Sequence, residues 1–232
     1  EAVLRLCVAD GHVAIQAARD AAEGMAERAL RVLAVARVDD DPLIAEGRLT
    51  VPSFLRRHGY ATAVIGKWHL GNWHKHHLPM QRGFDYQYGI YGALVGYYTK
   101  CRERFYDWHR NEQVLQEEGY TTDLIAQEAS KVIESLDTQR PFFLYIPFTA
   151  THGPDEAPLP LVEKYRKSDV KQLEGLSPAN REFYVRKYAM LDAMDQAIGR
   201  ILASLEKRGV LDDTLVVFFN DHQFATTHLH GA

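Results

Sequence analysis

Three stretches of this 232-residue chain could do chemistry: Gly66-Lys67-Trp68-His69, Thr149-Ala150-Thr151-His152 and Asn220-Asp221-His222. Each directly follows a short apolar run of the kind that forms a buried strand. A lysine, two histidines and an Asp-His pair converging on one crevice would suit an oxyanion ester. Lys67 offers a compact positive charge for non-bridging oxygens. A histidine such as His69 or His152 can give a proton to a leaving alkoxide or take one from a nucleophile near neutral pH. Asp221, with an adjacent oxygen or nitrogen ligand, could hold a divalent cation that screens the anion. A hard cation wants more oxygen ligands than one aspartate supplies, so the set as it stands is incomplete. Singly, each residue has an ordinary reading: a lysine or histidine after a strand is usually a solvated loop residue, and Asp221 could cap a turn. The coincidence at three strand ends is what lifts the functional reading above these. His74, His76 and His77, with Lys75 among them, read as a wet loop rather than a metal cluster, and Cys101 as a packed or idle thiol.

The elements that must position these groups follow from the pattern of apolar residues. Thr50-Val51-Pro52 opens a short helix, proline being tolerated in the first turn, and Gly59 after His58 closes it. Ala61–Ile65 reads as a short buried strand. Thr122 is the expected N-cap of a second helix with Leu124, Ile125, Val132, Ile133 and Leu136 on one face. Phe142–Phe148, bounded by Pro141, is a second strand. Ser177-Pro178 begins the longest helix, with Tyr188, Leu191, Met194, Ile198, Ile201, Leu202 and Leu205 as its apolar stripe and Gly209 as its stop. Thr214–Phe219 is a third strand, apolar on both faces. Strands apolar on both faces that alternate with amphipathic helices predict an α/β sandwich with a largely parallel sheet. Ligands of such sheets bind at the carboxyl ends of the strands, where all three chemical stretches fall.

Composition sets the outer bounds. Hydrophobic residues make up 46% and charged residues 25% of the chain, the proportions of an ordinary globular protein. A formal net charge of -4 gives no broad electrostatic reason to approach nucleic acid or anionic lipid. Cys7 and Cys101 make neither a disulfide framework nor a zinc spacing. No apolar run approaches the roughly 18 residues of a membrane span, and the chain shows no signal-peptide h-region, so a targeting segment of an exported parent is not in this chain. Residues 1–40 are set apart, rich in Ala, Arg and Val without proline or aromatics, with a generic helix expected near Ala17–Val35.

The run Gly66-Lys67-Trp68-His69-Leu70-Gly71, with its lead-in Gly59-Tyr60-Ala61-Thr62-Ala63, resembles the second signature of the sulfatase family. The match continues in order through Gly83-Phe84-Asp85, Glu118-Gly119-Tyr120-Thr121-Thr122-Asp123-Leu124, Pro141-Phe142-Phe143-Leu144-Tyr145, His152-Gly153-Pro154 and Asp213-Thr214-Leu215-Val216-Val217 to Asn220-Asp221-His222. The resemblance implies an alkaline-phosphatase-like α/β sandwich with a mostly parallel central sheet flanked by helices. It implies hydrolysis of a sulfate ester, on a sulfated carbohydrate or an aryl group, with Ca2+ and a formylglycine made from an active-site Cys or Ser. By position, Lys67 would bind the sulfate oxygens. His69 would act on the formylglycine hydroxyls as the base that releases sulfate, and His152 would contact the sulfate and assist the leaving oxygen. Asp221 would ligate calcium and His222 would take the adjacent ligand position. An exported location (periplasmic, secreted or lysosome-like) is the family expectation.

The departures from the family pattern are as informative. The N-terminal strand with paired calcium-binding aspartates is absent, and the C-x-P/A-S-R nucleophile motif is not intact. Cys7-Val8-Ala9-Asp10-Gly11 keeps the Cys and the Ala but lacks the Ser and the Arg, which makes Cys7 a weak candidate for formylglycine. Residues 1–40 are therefore read as an atypical N-terminal segment, out-of-frame or non-native, and 41–232 as a partial sulfatase catalytic domain truncated at both ends. The sulfatase activity is assigned to the intact parent, with this chain expected to be inactive as it stands. The alternatives are a non-catalytic pseudoenzyme fragment and a related phosphoesterase of the same superfamily. The residues name no oligomeric state.

Overall fold

The computed structural model describes residues 49–219 together with the backbone of Arg31–Val32. In chain order the elements are β1 (Arg31–Val32), α1 (Val51–Arg57), β2 (Ala61–Lys67), β3 (Tyr86–Ile90), β4 (Cys101–Arg102), β5 (Phe105–Tyr106), β6 (His109–Arg110), β7 (Gln113–Val114), α2 (Thr121–Glu134), β8 (Phe142–Tyr145), α3 (Leu159–Arg166), α4 (Pro178–Arg208) and β9 (Thr214–Leu215). The main sheet has the order β7-β6-β3-β2-β8. Its centre, β3-β2-β8, is parallel, and β6 and β7 add an antiparallel edge.

β2 lies between two parallel neighbours and is buried on both faces, as its unbroken apolar run predicts. Ala63 and Ile65 face a core built with Tyr88, Trp108, Leu124, Ile125, Ile133, Leu144, Ala197 and Ile201. Val64 faces the opposite layer, with Leu55, Tyr60, Phe84 and Phe143. The sheet is thus covered by α1 on one side and by α2 with α4 on the other. This is the alkaline-phosphatase-like α/β arrangement that the resemblance implied.

Helix ends follow their local chemistry. Thr50 caps α1, its side chain accepting from the Ser53 amide, and Pro52 occupies the first turn. Ser177 caps α4, and Gly209 ends it at φ 71°. The cap of α2 is Tyr120, two residues before the expected Thr122, which is buried inside the helix. Tertiary bonds fix that start: the Thr121 amide donates to the Tyr97 carbonyl at 2.9 Å, and Tyr120 Oη donates to the Glu156 carbonyl at 2.9 Å.

Four other expectations are corrected. The buried line of α4 runs through Ala189, Ala193, Ala197, Ile201 and Leu205, while Leu191 is 42% exposed. Alanines at i, i+4 spacing let α4 settle closely on its neighbours, and a stripe drawn through the largest side chains misses them. The strand expected over Thr214–Phe219 stops at Leu215. Beyond Leu215 the side chains of Val216 and Phe218 are exposed, so the run is apolar without the two-sided burial of an inner strand. The Phe142–Phe148 strand ends at Tyr145. Arg31–Val32, inside the helix expected near Ala17–Val35, is strand. The rest of residues 1–40 lies outside the described residues.

Candidate active site

The three central strands end so close together that two positions cannot carry a side chain. A Cβ on Gly66 would sit 2.0 Å from the Pro147 carbonyl oxygen, and one on Gly89 would sit 2.2 Å from the Gly66 carbonyl oxygen. Both glycines have positive φ, 137° and 123°. Beyond the regular ladder the strand ends stay fastened. The Lys67 amide donates to Pro147 O at 2.8 Å, Trp68 to Ile90 O at 2.9 Å and His69 to Tyr91 O at 3.0 Å. The first glycine of Gly66-Lys67-Trp68-His69 is therefore what permits the close approach of β2 to the chain leaving β8.

Lys67 is half-buried at the last position of β2, and His69 is exposed two residues on, at φ 53°. Between them Trp68 is buried and donates its indole N–H to the His77 carbonyl at 3.0 Å, anchoring the next loop. His74 and His76 are exposed on that loop, with their rings stacked at 5.4 Å.

His152 lies on the loop that leaves β8, the parallel neighbour of β2, so the structure delivers it to the same sheet end as Lys67 and His69. Its ring is exposed, but its backbone is held firmly. Tyr97 Oη donates to the His152 carbonyl at 2.9 Å, and the His152 amide donates to Thr149 O at 2.9 Å. Lys187, from α4, donates to the Thr151 carbonyl at 2.7 Å. Burial pushes the Tyr97 phenol well above its ordinary pKa, so it stays a neutral donor. The His152 Nδ1 lies 3.0 Å from the Gly153 carbonyl, an atom that can only accept, so this contact favours the tautomer with the proton on Nδ1 and leaves Nε2 for a ligand.

The exit of β3 is organised by a carboxylate the sequence reading did not single out. Asp107 accepts from the amides of Tyr91 (3.0 Å) and Gly92 (2.7 Å) and pairs with His109 Nε2 at 3.1 Å. The His109 ring stacks on Tyr91 at 4.1 Å. Burial pushes the Asp107 carboxyl up, but the bonds from His109 and the two amides outweigh it and hold its pKa below the usual carboxylate value. Because Tyr91 O accepts from the His69 amide, Asp107 braces the segment against which His69 rests.

Lys67, His69 and His152 are thus gathered at one end of the sheet. Asp221 and His222, expected as metal ligands, and Cys7 lie outside the described residues. Among the described residues no group of three or more His, Cys, Asp or Glu could hold a metal ion, so they do not supply a calcium site. No helix among them is long and apolar enough to cross a membrane.

A lysine and two imidazoles stand at the carboxyl ends of adjacent parallel strands of an α/β sheet. The chain belongs to the sulfatase family: the family model described as Sulfatase matches residues 23–232. Arylsulfatase J of Mus musculus is 31% identical over 184 residues, 75% of this chain and 28% of that protein. N-acetylgalactosamine-6-sulfatase of Homo sapiens is 30% identical over 191 residues, 77% of this chain and 33% of that protein. Among solved structures, Ps i-CgsB in complex with k-i-k-neocarrahexaose superposes with a TM-score of 0.59 at 24% identity, over 75% of this chain and 41% of that one. The chain spans about a third of the length of the curated relatives it matches.

Proposed function

We propose that the protein to which this chain belongs hydrolyses sulfate esters, on a sulfated carbohydrate or an aryl group, with Lys67, His69 and His152 in the reacting site. The observation that carries this reading is the fastening of the Gly66–His69 segment to the chain leaving β8, which brings Lys67 and the His152 loop to one sheet end. The names of the relatives support the substrate class.

Lys67 is the fixed positive charge for the non-bridging sulfate oxygens; half-burial strengthens its attraction relative to an ammonium in open water. His152 acts on the leaving side. Protonated at Nε2, it donates to the bridging oxygen as the ester bond breaks, and the ring that remains is the Nδ1–H form already favoured by its bond to Gly153. His69 supplies a second imidazole to accept a proton on the attacking side. Ca2+ with Asp221 and His222 as ligands, and formylglycine at Cys7, belong to the proposal; the steps above use neither.

Isothermal titration of the chain with phenyl sulfate and phenyl phosphate, with Lys67→Ala as control, tests the reading. Phenyl sulfate should bind to the parent chain and lose affinity in Lys67→Ala. Tighter binding of the phosphate would transfer the reading to a phosphoesterase, and no dependence on Lys67 would remove it from the site.

A further inference from the structure

Lys187 is a lysine almost wholly enclosed by protein, its side chain only 10% exposed, on a 31-residue helix otherwise buried through Val185, Ala189 and Met190. An enclosed ammonium is tolerated only where its protons are taken up by fixed acceptors. Here they go to the His152 loop. Lys187 Nζ donates to the Thr151 carbonyl at 2.7 Å and pairs with the Asp155 carboxylate at 2.6 Å, bracketing His152 in sequence. The Phe183 ring lies beneath the ammonium at 5.3 Å, which further fixes its position. From the other side, Tyr97 Oη holds the His152 carbonyl itself. The loop has no regular ladder of its own, so these side chains do for it what neighbouring strands do for β2.

We infer that Lys187 is a positioning residue for His152: through the Thr151 carbonyl and the Asp155 carboxylate it ties the imidazole-bearing loop to the rigid frame of α4. It touches no reacting atom. Its consequence for turnover rests on the functional reading given above, but its effect on the His152 ring does not. With the loop tied, the His152 Nδ1–H meets the Gly153 carbonyl and Nε2 is presented to the ligand. With Lys187 removed, Thr151 O and Asp155 lose their shared donor, and the ring loses the register that selects its tautomer.

The test is nitrogen NMR of the histidine rings in the full chain, the His152 signals assigned with His152→Gln. Lys187→Met keeps length and bulk without the charge, Lys187→Arg restores a donor, and Lys164→Met removes an exposed ion pair on α3 as a control. In the parent chain His152 should show the Nδ1–H form. Lys187→Met, with its helix content intact, should shift it toward a mixture of tautomers; Lys187→Arg should return most of the signal, and Lys164→Met should leave it unchanged. In the full-length protein Lys187→Met should lower kcat by about a hundredfold with a smaller change in KM, the scale expected of a misplaced catalytic group. A folded Lys187→Met chain with parental His152 signals overturns the inference. Should Lys187→Met fail to fold, Asp155→Asn is judged by the same signals. If the tautomer shifts as expected but His152→Ala leaves sulfate ester turnover untouched, the positioning role stands and the catalytic reading of His152 falls.

Discussion

The Lys67 amide donates to the Pro147 carbonyl at 2.8 Å, and this bond joins β2 to the chain leaving β8 where their shared ladder has ended. Gly66 is shaped to allow it, Lys67 makes it, and five residues beyond Pro147 the other strand's chain presents His152.

Gly66→Ala should break this junction. Its Cβ would meet the Pro147 carbonyl oxygen at 2.0 Å, and φ 137° is a conformation that L side chains rarely adopt. Strain and clash together should cost about 3 kcal/mol of stability. Urea unfolding checks it, and a midpoint equal to that of the parent chain would show that the strand ends can part freely.

Asp107→Asn should destabilise the chain by about 1–2 kcal/mol near neutral pH, because the carboxylate accepts from two amides and an imidazole at once. The folded pKa is depressed, so the carboxylate's contribution is present above its unfolded value of about 4 and is lost as pH falls through the folded value. The gap between parent and variant should therefore be full at pH 7 and close in acid, below about pH 4. Urea midpoints across that range measure it; a gap that stays constant would mean the charge of Asp107 contributes nothing.

The packing of α4 makes two opposite predictions. Ala197 is fully buried and Leu191 is 42% exposed. Ala197→Leu should cost about 2 kcal/mol by overpacking, whereas Leu191→Ala should stay within about 0.5 kcal/mol of the parent. Thermal melts of the two variants decide between this buried line and one drawn through the larger side chains.

How much could be read in advance depends on range along the chain. The Thr50 and Ser177 caps, the Gly209 stop and the buried run of β2 are local, and they are where the residues predicted them. Lys67 and His69 were legible because a strand end is a local event and ligands of parallel sheets gather there. The supports of His152 were not: Tyr97 reaches it across 55 residues and Lys187 reaches Thr151 across 36. No local pattern marks Lys187, since Phe183, one turn before it, is itself 38% exposed. Large side chains do not mark the buried line of α4, which runs through alanines, and the apolar run Val216–Phe219 is largely exposed rather than strand. Asp107 carried no local pattern at all; only the fold brings it to Tyr91 and Gly92.

Sulfate release by the full-length protein, comparing 4-nitrophenyl sulfate with a sugar sulfate in the parent and in Lys67→Ala and His152→Ala, tests the central claim most directly. Lys67→Ala should slow both substrates alike, since it acts on oxygens common to both. His152→Ala should slow the sugar sulfate by about 10²–10⁴-fold and the nitrophenyl ester far less, because only the poor leaving group needs a proton. Parental rates in both variants would contradict the account and move the reacting site away from this end of the sheet.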